Sequence, residues 1–147
     1  MSIPMVLLIH EDADFRRLYR IALERIGFGV DDTWDADDAL MLARKTPYAL
    51  ILTDLYVEAV TTTPIVERLR EVCAATPILV VTGWVSDRDR ELATLWGATE
   101  YVARPATPGA VVGAAVRLAG APAVAVGAAM RYTTERPSST RWWGAAS

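Results

Sequence analysis

The sequence predicts an α/β fold, a (βα)5 doubly wound sandwich with one parallel sheet and helices on both of its faces. Three observations predict it. Short apolar runs stand at Met5–Ile9, Ala49–Thr53, Ile78–Thr82 and Tyr101–Ala103, with a weaker, polar-edged one at Gly29–Thr33; continuous runs of this length suit strands buried on both faces. Stretches with helical spacing separate them, so strand and helix alternate five times up to about Gly120, the order expected of a parallel sheet covered on both sides. With 147 residues, 52% hydrophobic and 22% charged, the chain is long enough for one core and short for two.

Each helix has a legible start or stop. After the Met5–Ile9 strand, Asp12 or Asp14 caps a helix that turns Phe15, Leu18, Tyr19, Ala22 and Ile26 inward and ends at Gly27. The helix after Gly29–Thr33 starts at Asp35, gathers Ala39, Leu42 and Ala43 on one face and stops before Pro47. Beyond the Ala49–Thr53 strand, Thr63 caps and Pro64 occupies the first turn of a helix burying Val66, Leu69 and Cys73. Ser86-x-x-Asp89 is a capping-box-like start for the fourth helix, with Leu92 and Leu95 inward. Thr107-Pro108 opens the fifth, with Val111, Val112, Ala115 and Ala119 inward. Trp34 and Trp96 read as packing residues. The expected division is a domain over residues 1–120 and a flexible tail over 121–147, whose last part "RYTTERPSSTRWWGAAS" has a net charge of +2 from three Arg and one Glu. Trp142-Trp143 there is a candidate docking handle.

Composition excludes several function classes. A net charge of −3 leaves no electrostatic footprint for nucleic acid. One cysteine, Cys73, excludes an internal disulfide and a Cys-rich zinc site, and fits a reducing compartment. The opening apolar run is too short for a signal peptide, and Arg117 and Pro122 interrupt the Ala/Val/Gly-rich stretch that begins at Gly109, so no membrane span is expected. The expected location is the cytoplasm.

In open parallel sheets ligands bind beyond the carboxyl ends of the strands. Those ends carry His10-Glu11, Asp54, Thr82-Gly83 and Arg104-Pro105. Carboxylates with a backbone carbonyl suit magnesium, a carboxylate can attack phosphorus to form an acyl phosphate, and a hydroxyl and a cation can bind phosphoryl oxygens.

The residues that carry this chemistry also carry a resemblance. "VLLIHEDADFRRLYRIALERIGF", "YALILTDLY", "PILVVTGW" and "GATEYVARPA" resemble, in order and in spacing, the motifs of the receiver domain of two-component response regulators, over about four-fifths of the chain. The resemblance implies strand order 2-1-3-4-5, Asp54 as phospho-acceptor, and magnesium held by Glu11, Asp54 and the Tyr56 carbonyl. It makes Thr82 the switch hydroxyl, followed by a small Gly83, Tyr101 the switch aromatic, and Arg104 the occupant of a Lys-Pro position whose peptide bond is a candidate for cis. It further implies a histidine kinase or phosphotransfer protein as donor and a downstream protein bound through the face of helix 4, strand 5 and helix 5. The expected state is a monomer or weak homodimer, a single-domain regulator without direct nucleic-acid contact. No catalysis is expected beyond self-phosphorylation and autodephosphorylation at Asp54.

Three departures fall on the working parts. His10 replaces the first acid of the family's acidic pair, which leaves Glu11, one methylene longer than aspartate. Arg104 replaces the lysine, and "DLYVEAVTTTP" lacks the usual Pro and Gly after the acceptor. An imidazole is a poor partner for magnesium, so its affinity is expected to fall by about tenfold, ~1.4 kcal/mol. Arg104 keeps the charge but can fork onto phosphate; since Lys45 is the only lysine among fifteen basic residues, compositional drift would also explain it. Trp84, two residues after Thr82, is a possible gate over the pocket. The competing class is a pseudo-receiver that binds a partner regardless of phosphorylation. A haloacid-type phosphatase would need an acid where Tyr56 stands, and a flavin site would need a Ser/Thr/Gly-rich loop where "HEDAD" stands.

Overall fold

In the computed structural model, which describes residues 3–58 and 62–122, strands and helices alternate as the apolar runs require. The order is β1 (Met5–Ile9), α1 (Ala13–Arg25), β2 (Gly29–Thr33), α2 (Ala36–Lys45), β3 (Leu50–Thr53), α3 (Ile65–Val72), β4 (Ile78–Thr82), α4 (Asp87–Trp96), β5 (Glu100–Ala103) and α5 (Pro108–Ala119). All pairings are parallel and the sheet runs β2-β1-β3-β4-β5. The polar-edged run at Gly29 is an edge strand, which explains its polarity. The expected tail lies outside the described residues from 123 onward, Trp142-Trp143 included.

Strand side chains alternate between two cores. Leu7, Ile9, Ile51, Ile78 and Val80 pack with α2, α3 and Ala93 of α4, whereas Val6, Leu8, Leu50, Leu52, Leu79 and Val81 pack with α1 and α5. Each buried aliphatic contributes about 1.5–3 kcal/mol of transfer free energy, so β1, β3 and β4 anchor the fold.

Caps set where the helices begin. Asp12 accepts the N–H groups of Asp14 and Phe15, Asp35 that of Asp38, Ser86 that of Asp89, and Thr107 that of Ala110. Gly97 ends α4 at φ +114°, in the left-handed region where a side chain is strained, and Arg70 packs against it while donating to the carbonyls of Gly97, Cys73, Ala74 and Thr76. That clamp fastens the end of α3 to the end of α4. Both sheet edges carry paired acids: in β2, Asp31 accepts from the Tyr48 hydroxyl at 2.7 Å and Asp32 from Arg20 at 3.0 Å; in β5, Glu100 meets Arg117 at 2.6 Å.

Some expectations shift. β3 begins at Leu50 and β5 at Glu100, one residue after and before the expected starts. The N-cap of α3 is Pro64, which puts Ile65 rather than Pro64 in the first turn. Leu18 is exposed, since Leu23 supplies the buried side of α1 instead, and Leu95 is 77% exposed because α4 buries Ala93. Trp34 stands 56% exposed rather than packed, while Trp96 and Cys73 pack at the margin of the α2–α3–α4 core.

Candidate functional site

Strand register assembles the site. Ile9 lies opposite Thr53, so His10 emerges beside Asp54. Thr53 opposite Val80 brings Thr82 to the same carboxyl edge, and Thr82 opposite Ala103 brings Gly83 beside Arg104. The Arg104-Pro105 peptide is cis.

Asp54 is half-buried. Its Oδ1 accepts the Leu55 N–H at 2.7 Å, which leaves Oδ2 on the side of His10. His10 is only 3% exposed and its Nε2 lies 3.3 Å from Oδ2. That distance suits Coulombic contact, yet Nε2 lacks hydrogen-bond geometry to any partner among the described residues. The ring is fixed from two other directions: Nδ1 accepts the Asp12 N–H at 3.1 Å, and Phe15 stacks on it at 3.9 Å and 15°. Burial holds the His10 pKa below its ordinary value; Asp54 pulls it up and Arg104 pushes it down, and burial wins.

The surrounding charges are engaged elsewhere. Glu11 accepts the backbone N–H of Glu58 at 2.7 Å. Arg16 donates to the carbonyls of His10 at 2.6 Å and Glu11 at 3.1 Å. Arg104 does not fork onto Asp54: its guanidinium lies 3.6 Å from Asp12 and 5.0 Å over the Phe15 ring. The Asp12 carboxyl sits below the usual range, chiefly because it accepts the Phe15 N–H.

The other flank is aromatic. Thr82 is fully buried and its hydroxyl accepts the Trp84 N–H at 3.2 Å. Trp84 is 55% exposed and meets Tyr56 edge-on at 5.3 Å, which puts it over the loop that follows Asp54. The Tyr56 hydroxyl donates to Asp89 at 2.6 Å, and this bond pushes its pKa up to about 12. Arg90 stands 4.7 Å over the Tyr101 ring, whose buried hydroxyl has no hydrogen-bond partner among the described residues. A Cβ on Gly83 would meet nothing within 4 Å, so that position is open.

The donor set does not fit a magnesium ion in this arrangement. A neutral His10 that accepts at Nδ1 carries its proton on Nε2, so that nitrogen has no lone pair to give a cation. Glu11 Oε1 is drawn to the Glu58 N–H, and among the described residues no three His, Cys, Asp or Glu side chains gather to hold a metal. No helix among them is long and apolar enough to cross a membrane.

Register thus gathers His10, Glu11, Asp54, Thr82, Gly83, Trp84 and Arg104 at one edge, with Arg104 turned toward Asp12 and Tyr101 set back within β5, opposite Val80. Sequence reasoning missed Arg16 as the brace of the His10-Glu11 backbone, Phe15 as the plate behind His10, and the Tyr56–Asp89 bond. Phe15 five residues after His10 and Arg16 six after it, both on the first turns of α1, were the available signals.

Comparison with known proteins follows the same lines. The family model described as response regulator receiver domain matches residues 6–116. The transcriptional regulatory proteins ResD of Bacillus subtilis and SrrA of Staphylococcus aureus are each 30% identical over 107 residues, covering 73% of this chain and 44% of theirs. The chain therefore spans about half the length of the curated relatives it matches. Chemotaxis protein CheY4 of Vibrio cholerae superposes with a TM-score of 0.73 at 24% identity, over 80% of this chain and 99% of that one, a likeness of fold.

Proposed function

The chain belongs to the response regulator receiver family, and from that premise we propose that Asp54 accepts a phosphoryl group from a histidine kinase or phosphotransfer protein and that the change is read by a second protein. The observation that carries this reading is the Asp54 carboxylate itself, with Oδ1 fixed by the Leu55 N–H and Oδ2 without a hydrogen bond among the described residues, beside a buried Thr82 and a Tyr101 hydroxyl that has no partner among them. Oδ2 attacks phosphorus as the donor's leaving group departs. The new charge draws the Thr82 hydroxyl away from the Trp84 N–H. Tyr101 then moves into the space vacated, and the face made by α4, β5 and α5 changes its partner preference. Trp84 gates access, and Arg104 must leave Asp12 to meet the phosphoryl oxygens.

Receiver domains in general bind magnesium at the phosphorylation site; in this chain that role would fall to Glu11, Asp54 and the Tyr56 carbonyl, and the arrangement described above, with Glu11 on Glu58 and His10 beside Asp54, does not fit the ion. The remainder of the reading is a receiver over residues 1–120 with the tail beyond it, in the cytoplasm, as a monomer or weak homodimer. A second reading, a pseudo-receiver acting as a phosphorylation-independent binding module, is favoured by one observation: Arg104 is turned onto Asp12 and the Phe15 ring, away from Asp54.

Intact-mass spectrometry after incubation with acetyl phosphate and excess magnesium, with Asp54→Ala alongside, separates the two. A phosphate adduct on the native chain alone supports the acceptor. No adduct at any magnesium concentration supports the constitutive module.

A further inference from the structure

His10 Nε2 is a buried nitrogen 3.3 Å from Asp54 Oδ2 that makes no hydrogen bond among the described residues. Proteins seldom bury such a donor without a use for it. The ring cannot swing away, because the Asp12 N–H and the Phe15 plate hold it on two sides. A cation beside Nε2 would find no lone pair there, whereas an anion attached to Oδ2 would have an unused donor within reach. Positive charge comes from the guanidinium groups at this corner, Arg16 on the backbone of His10 and Glu11, and Arg104 beside Asp12.

We propose that His10 Nε2–H replaces the divalent cation at this corner, donating to the phosphoryl group attached to Asp54 Oδ2, so that phosphorylation proceeds without magnesium. This rests on Asp54 being the acceptor and states what stabilises the group there. With acetyl phosphate as donor, the Oδ2–P bond forms while the bond from phosphorus to the acetyl oxygen breaks; acetate leaves with the electron pair, and nothing is oxidised or reduced. Hydrogen bonding from Nε2–H to the phosphoryl oxygens strengthens as charge collects on them.

The test uses the full chain with acetyl phosphate, in excess EDTA and in millimolar magnesium, with adduct formation followed by intact mass. The native chain should label at rates within about twofold of each other in the two buffers. His10→Ala should lose about tenfold or more of its rate in EDTA, the size expected for a lost hydrogen bond to a charged group. His10→Gln, which keeps an N–H at similar reach, should retain most of it, and still decides the matter if the alanine variant fails to fold. His10→Asp should label only with magnesium, and magnesium should change its tryptophan fluorescence while leaving that of the native chain unchanged. Native labelling that needs magnesium, or a folded His10→Ala that labels in EDTA at the native rate, would overturn this inference and leave Asp54 as the acceptor. Absence of label from the native chain in both buffers would overturn the acceptor reading and this inference with it.

Discussion

The two flanks of Asp54 are built differently. On the β1 side the groups lock one another: His10 between Phe15 and the Asp12 N–H, Glu11 on Glu58, Arg16 on two carbonyls. On the β4–β5 side Trp84, Val85 and Leu95 stand exposed, the Tyr101 hydroxyl has no partner among the described residues, and α4 has only Ala93 fully buried. Moving a group on the first flank breaks several contacts at once, whereas a side chain on the second can change rotamer at little cost. A receiver needs both, a rigid place for the chemistry and a soft place for the readout.

Substitutions can break that contrast or sharpen it. The largest loss should follow Phe15→Ala, which removes a buried ring and the plate behind His10; we expect about 3–5 kcal/mol in denaturant unfolding. Arg16→Ala should cost about 1–3 kcal/mol by the same measurement, because it strips the charged donor from the His10 and Glu11 carbonyls. A loss there no larger than at the exposed positions would mean that the first flank is not rigid.

Acid should also act on the first flank. The folded His10 pKa lies below the unfolded value near 6.5, so below that pH the unfolded chain binds the proton more readily. Stability should therefore fall as pH drops from about 6.5 toward the folded pKa. His10→Gln should flatten that slope in unfolding curves taken across the window.

Smaller effects belong to the second flank. Asp89→Ala should release the Tyr56 phenol, and its ultraviolet titration should return from about 12 toward the ordinary ~10 with little change in unfolding. Trp84→Ala should shift stability by no more than about 0.5 kcal/mol. A large loss from it would make Trp84 structural and remove its standing as a gate.

How far the sequence could be read divides along similar lines. Strands buried on both faces announced themselves, because a run such as "VLLI" has no other soluble use at that length, and caps at Asp12, Asp35, Ser86 and Thr107 were legible from side-chain chemistry. Leu18 and Leu95 were misread because helical spacing selects a stripe, and which residues at its margin are covered depends on the neighbouring element. Arg104 could be placed at the sheet edge from its motif but not aimed; its direction follows from Asp12 and Phe15, residues about ninety positions away. The Glu11–Glu58 and Tyr56–Asp89 bonds are likewise invisible until β1, β3 and β4 are in register.

The acids on β2 and β5 have a bearing on how this chain meets others. An open sheet edge is a template on which a foreign strand can polymerise. Here a newcomer would have to lay its carbonyl oxygens along Asp31 and Asp32 at one border, or Glu100 at the other, and disturb Tyr48, Arg20 or Arg117 to do so. Strand addition is thus discouraged at both borders, and association is left to helices and loops.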